Sequence, residues 1–142
     1  PVYLSWSRRN RSSLIRVPQP NGGEPEGANV EIRCPDPACN PYLCLAGMLQ
    51  AGLEGIEKGY ELPEPMDENL YHLGPDDLAQ RGIEQLPATL GESIELAADS
   101  ELVLRTLGEH TFRRFIELKR QEWDAYRVQV TPFEVESFLP VL

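Results

Sequence analysis

The 142 residues carry a formal charge of −10 with a hydrophobic fraction of 41%, which suits one domain with a core of its own. So acidic a chain repels polyanions, which excludes nucleic acid and anionic membranes as partners. No apolar run approaches the roughly 18 residues of a membrane span and no signal-peptide pattern appears, and the three cysteines, Cys34, Cys39 and Cys44, fit no zinc or disulfide framework. They read as small buried thiols of a cytoplasmic protein.

The charge is uneven. Up to Arg33 five arginines outweigh three glutamates, a net of +2 that leaves −12 for the remainder. A basic N-terminal quarter on an acidic body suggests local capture of an anionic small molecule. The chain opens at Pro1 inside a strand-like run and reads as cut from something longer. Residues 2–6 predict a strand, and residues 7–12 a polar loop holding Arg8, Arg9 and Arg11. Residues 13–17 predict a second strand, 18–28 a loop rich in Gly, Pro and Glu, and 29–33 a third strand. Two strands joined by a long loop imply an antiparallel pair. Side chains alternate along a strand, so Asn29, Glu31 and Arg33 share one face while Val30 and Ile32 take the other. Pro35 and Pro37 stop it.

Asn40 and Pro41 predict a helix start, as N-cap and first helical position. Leu43, Ala46, Leu49, Leu53 and Ile56 recur at helical steps, and Leu45 and Met48 widen the stripe, which predicts burial on more than one side. Gly59 is placed to end this helix. A proline-punctuated linker over 61–68 leads to a short helix at 75–81, then helices at 89–98, 100–107 (stopped by Gly108) and 109–127. In the longest, Phe112, Phe115, Ile116, Trp123 and Tyr126 line one side, while Arg113, Arg114, Lys119 and Arg120 face water. Thr131 and Glu134 have capping-box spacing and predict a last short helix carrying Phe138 and Leu139. The fold class that follows is α+β: a small antiparallel sheet packed on the helix from Asn40, then a mostly helical C-terminal half.

The chemistry-bearing residues concentrate before residue 34. Arg11 and Arg16 offer guanidinium forks for phosphate or carboxylate. Glu31 among arginines is either a hard-metal ligand for Mg²⁺ or Mn²⁺ or one half of a cross-strand salt bridge. One carboxylate cannot hold a catalytic metal, so a metal here needs most of its ligands from elsewhere. His72 and His110 stand in no partner motif.

The blocks Asn10-Arg-Ser12, Ile15-Arg-Val-Pro18 and Glu31-Ile-Arg-Cys-Pro-Asp-Pro-Ala-Cys-Asn-Pro-Tyr-Leu43 resemble, in order and spacing, the C-terminal part of the catalytic domain of type I glutamine synthetase. Ala51-Gly-Leu-Glu-Gly-Ile56 and Met66-Asp-Glu-Asn-Leu-Tyr71 extend the match. The resemblance implies a fragment comprising about the last third of such an enzyme. Residues 1–33 would be active-site strands and loops of its half-barrel, and 40–142 its helical part. It implies ATP-dependent ligation of ammonia to glutamate through γ-glutamyl phosphate, with Mg²⁺ or Mn²⁺ as cofactor. Carried over, Arg11 meets the transferring phosphate and the substrate glutamate, Arg16 contacts ATP phosphates, Glu31 is a metal ligand, and Arg33 holds a glutamate carboxylate. Tyr71 matches a tyrosine adenylylated in one branch of the family. Residues 131–142 match the tail that reaches the opposite ring of the family's double hexamer. Asn29 departs from the arginine usual there, and Glu24 and Glu26 occupy a loop that is basic in the family, so the nucleotide side is less positive.

The resemblance makes the expected partners glutamate, ammonia, ATP and the remainder of the subunit, with no turnover from these residues alone. Two other readings stand beside it. One is a relative that joins glutamate to another amine. The other is a non-catalytic domain kept for oligomerisation or regulation.

Overall fold

The computed structural model describes residues 2–19 and 27–141. Glu24 and Glu26, which the sequence reading makes an acidic loop, lie outside the described residues, as does Leu142. The chain divides into two compact units, Pro1–Leu86 and Pro87–Leu142.

The first unit holds a three-stranded sheet in the order β1 (Tyr3–Ser7), β2 (Ser13–Arg16), β3 (Glu31–Ile32). The β2–β3 pair is antiparallel, as the long intervening loop predicts, with Ile15 opposite Ile32 and Arg16 opposite Glu31. The β1–β2 pair is parallel, with Ser7 opposite Arg16 and an irregular register between Tyr3 and Trp6. The sheet is therefore mixed. Only residues 8–12 carry the chain from the end of β1 back to the start of β2, where parallel strands usually need a crossover of about a dozen residues or more. The outer edge of β1 is closed by residues 84–86: the Leu4 amide donates to the Glu84 carbonyl and the Leu86 amide to the Val2 carbonyl, both at 2.8 Å. The opposite edge is the two-residue β3, too short to template much further pairing.

The core of this unit is Leu70, Leu78 and Ile83, with Tyr3, Met66 and Leu73 packed against them. Leu70 is fully enclosed. It begins a 3-10 turn, Leu70–His72, that α2 (Pro75–Gln80) follows.

Helix α1 (Pro41–Lys58) starts and stops where its sequence says. Asn40 accepts from the amides of Tyr42 and Leu43, Pro41 occupies the first turn, and Gly59 closes the helix at φ 63°, a left-handed conformation that glycine adopts without strain. The predicted burial of α1 is corrected by the structure. It has no buried residue: of the predicted stripe, Leu45, Ala46, Leu49, Leu53 and Ile56 are exposed and Leu43 and Met48 half-buried, and Tyr42 beside it is exposed as well. The apolar stripe exists, but this unit supplies no surface to cover it.

The second unit is helical. Helix α3 (Leu90–Ala98) is capped by Thr89, and α4 (Glu101–Arg127) by Ser100. Gly108 interrupts α4 at φ 71°, ψ 154°, where the sequence places a helix stop. Ile94 and Ile116 are buried between α3 and α4. Arg120 donates to both oxygens of Glu95 at 3.1 and 3.0 Å. Tyr126, expected on the packed side of α4, is mostly exposed. Helix α5 (Pro132–Phe138) opens with the predicted capping box of Thr131 and Glu134. Among the described residues no helix is long and apolar enough to cross a membrane. Cys34 and Cys39 are exposed and Cys44 half-buried, all as free thiols, so the expectation of buried cysteines fails: two lie at the surface and the third is only partly covered. They flank the turn into α1, which lies at the surface.

Candidate active site

The register of β2 on β3 puts Arg16 directly across from Glu31, and the two-residue period of a strand puts Arg33 on the same face as Glu31. The three side chains meet. Arg16 Nε and Nη2 both donate to Glu31 Oε2, at 2.9 and 2.5 Å, and Arg33 Nη1 donates to Oε1 at 2.9 Å. The cross-strand salt bridge allowed by the spacing is thus realised. All three side chains are partly shielded, with 25, 37 and 22% exposure for Arg16, Glu31 and Arg33.

Glu31 is held ionised. The Arg16 hydrogen bond is the main cause of a pKa below the usual 4.5, opposed by partial desolvation and reinforced by the charges of both arginines. Two guanidiniums against one carboxylate leave the cluster one positive charge in excess. Arg33 Nε is buried with no acceptor among the described residues. A buried donor left without a partner is costly, so this nitrogen is a point of unmet hydrogen bonding on the cluster.

A divalent metal does not fit these residues by themselves. Both oxygens of Glu31 are taken by arginines. Among the described residues, no group of three or more acidic, histidine or cysteine side chains stands ready to hold an ion. Two guanidiniums beside the one carboxylate found there among the described residues would also repel a dication.

Arg11 makes no hydrogen bond or ion pair with this cluster among the described residues. It sits exposed on the loop between β1 and β2. That loop is fixed by its neighbours in sequence. Asn10 Oδ1 accepts from the Ser12 amide at 2.9 Å, and Asn10 Nδ2 donates to Ser12 Oγ at 2.6 Å and to the Met66 carbonyl at 3.2 Å. Ser12 Oγ in turn accepts from the Leu70 amide at 3.0 Å. The sequence marks both residues only as ends of the Asn10-Arg-Ser12 block, with no role of their own. An asparagine two residues before a serine is a turn signal, but the partners at 66–70 are not visible from the loop alone. Tyr71 follows Leu70; its ring is exposed and meets Tyr3 edge-on at 5.7 Å. Asn29 is exposed and adds no charge to the face.

Comparison with known proteins covers the whole of this arrangement. A family model described as the glutamine synthetase catalytic domain matches residues 1–138. The glutamine synthetase of Methanosarcina mazei is 48% identical over 142 residues, 100% of this chain and 31% of that protein. That of Mycolicibacterium smegmatis is 44% identical over 139 residues, 98% of this chain and 31% of that protein. A solved GmaS/ADP complex aligns at a TM-score of 0.81 with 30% identity, covering 99% of this chain and 30% of that one. The Plasmodium falciparum glutamine synthetase, at 21% identity and a TM-score of 0.75 over 96% of this chain and 34% of that one, shares the fold. The chain therefore spans about a third of the length of the relatives it matches. On the match over nearly every residue, the chain belongs to the glutamine synthetase family and corresponds to part of its catalytic domain.

Proposed function

We propose that these residues form the C-terminal part of the catalytic domain of a cytoplasmic glutamate–ammonia ligase that works through ATP and γ-glutamyl phosphate. The observation that carries the proposal is the shielded Arg16–Glu31–Arg33 cluster, cationic overall and with Arg33 Nε unsatisfied. Phosphoryl transfer depends chiefly on positioned cations around spreading negative charge, and a carboxylate substrate suits a guanidinium fork. Arg33 takes a carboxylate of glutamate. Arg16 and Arg11 face the phosphates of ATP, and Arg11 also meets the transferring group. That a similar structure, GmaS, is known with ADP supports a nucleotide on this fold. The names of these relatives support ammonia as the amine.

Glu31 ligates Mg²⁺ or Mn²⁺ only if further oxygen ligands come from the part of the subunit these residues do not span. The exposed apolar side chains of α5 and its continuation, Phe133, Phe138 and Leu139, suit contact with other subunits of a homo-oligomer. Tyr71, exposed beside the arginine loop, is the proposed site of regulatory modification.

The test is a hybrid enzyme in which these 142 residues replace the matching segment of the Methanosarcina mazei glutamine synthetase. Glutamine formation from glutamate, ammonia and ATP, dependent on Mg²⁺ or Mn²⁺, is expected. An assembled hybrid without γ-glutamyl transfer overturns the proposal. The 142 residues by themselves are expected to show no turnover.

A further inference from the structure

Arg11 poses a mechanical problem. An exposed arginine on a loop samples many conformations, and ordering it costs free energy at the moment of use. This loop is also an unusually short parallel return, five residues from β1 to β2. The structure answers with bonds on either side of Arg11, none of them made by its own side chain. The amide of Asn10 reaches across 56 and 58 residues of sequence to the carbonyls of Met66 and Glu68. Ser12 Oγ, itself a partner of Asn10 Nδ2, receives the Leu70 amide. Ser12 is 2% exposed and Leu70 is fully buried, so the Leu70–Ser12 bond is shielded from water, while the Asn10–Met66 bond is half-shielded and the Asn10–Glu68 bond is exposed. Asn10 also keeps the turn itself, through the Ser12 amide.

We propose that Asn10 is a positioning residue for Arg11: its side chain straps the arginine loop to the 66–68 backbone and so fixes where the guanidinium is presented. This rests on the role given to Arg11 above. Asn10 touches neither substrate nor nucleotide in this assignment and acts only through its neighbour. A single side chain that is both donor and acceptor holds the Ser12 amide and shares its two Nδ2 protons among Ser12 Oγ and the carbonyls of Met66 and Glu68. Neither Asp, which lacks the donors, nor Ala, which lacks both, can replace it.

The experiment uses the hybrid enzyme with Asn10→Asp, Asn10→Ala, Arg11→Ala and the double variant N10A/R11A. Asn10→Asp retains the acceptor for the Ser12 amide but loses every Nδ2 bond, to Ser12 Oγ as well as to the 66–68 backbone, and adds a charge, while Asn10→Ala loses the acceptor too without adding one, so the pair is read together. For both Asn10 variants, kcat per assembled enzyme is expected to fall on the order of 100-fold. The loss should fall on kcat more than on KM, because the charge on the transferring group is greatest in the transition state. The double variant should be no slower than Arg11→Ala, since residues acting through one group are not additive. Retention of kcat by both Asn10 variants overturns the assignment. So does a double variant slower than Arg11→Ala by the full Asn10 factor, and so does failure of both Asn10 variants to assemble, which makes Asn10 a determinant of folding only. An active Arg11→Ala hybrid instead counts against the role of Arg11, a separate failure that the same series reveals.

Discussion

Glu31 and Arg16 face each other across the β2–β3 ladder, and the carboxylate keeps its charge because both donors of that guanidinium converge on one of its oxygens. The consequence for stability has a definite sign. The pKa of Glu31 is lowered in the folded chain, first by the Arg16 hydrogen bond. Its stabilising contribution is therefore complete above the unfolded value and disappears as pH falls through the folded one. Melting temperatures of the wild type and Glu31→Gln should differ at neutral pH, with the variant lower. The two curves should converge as pH drops below 4.5, the ordinary value. A gap that stays constant across that range contradicts the ion-pair account.

Arg33 allows a sharper functional prediction. Its Nη1 is committed to Glu31, while its Nε is buried and has no partner among the described residues. Lysine keeps the charge but loses the fork and the Nε donor. A charge-assisted hydrogen bond contributes about 1.5–3 kcal/mol. In the hybrid enzyme, Arg33→Lys should therefore raise the KM for glutamate about 10- to 100-fold, with a smaller effect on the KM for ATP. Steady-state kinetics with each substrate varied in turn decides it; an equal effect on both assigns Arg33 to the nucleotide or to the general architecture.

The ease with which these features can be read from sequence follows their range. Asn40, Gly59, Thr89, Ser100 and the Thr131–Glu134 box act within one helical turn, and each lies where its residue type predicts. The shared face of Glu31 and Arg33 follows from strand period alone. The closure of β1 by residues 84–86 and the Asn10 strap depend on partners distant in sequence, and the parallel docking of β1 on β2 runs against the usual rule for so short a connection. No local pattern encodes them. The apolar stripe of α1 shows a third case. Periodicity reports what a helix can bury, and it is silent on whether a partner surface is present.

That stripe leads to a prediction about the chain by itself. Tyr42, Leu45, Leu49 and Ile56 follow helical spacing on one side of α1 and are 83, 61, 66 and 79% exposed. A contiguous apolar surface of this kind drives association. The chain should self-associate in sedimentation velocity runs as its concentration rises. Changing Leu49 and Ile56 to lysine should suppress that association. Because neither side chain is buried within the chain, its unfolding free energy should shift by no more than about 0.5 kcal/mol per substitution. A large loss of stability instead shows that α1 is covered within the folded chain.

The contact between Gly91 and Trp123 supports a prediction in the second unit with a built-in control. A Cβ added at Gly91 lies 2.8 Å from both Cε2 and Nε1 of Trp123, whereas one added at Gly47 on α1 meets nothing within 4 Å. Both glycines are inside helices, where alanine is intrinsically better by about 1 kcal/mol. At Gly47 only that propensity operates, so Gly47→Ala should stabilise by up to about 1 kcal/mol. At Gly91 the methyl must displace an indole, a rigid ring with no flexible end to yield, and overpacking of this kind costs about 1–3 kcal/mol. Gly91→Ala should therefore be neutral to destabilising, opposite in direction to its control, in urea unfolding followed by tryptophan fluorescence and circular dichroism. Replacing Trp123 with Leu in the Gly91→Ala background should remove the clash and restore the alanine advantage relative to Trp123→Leu alone. If Gly91→Ala stabilises as much as Gly47→Ala, then α3 and α4 are not held at the separation that makes glycine necessary there.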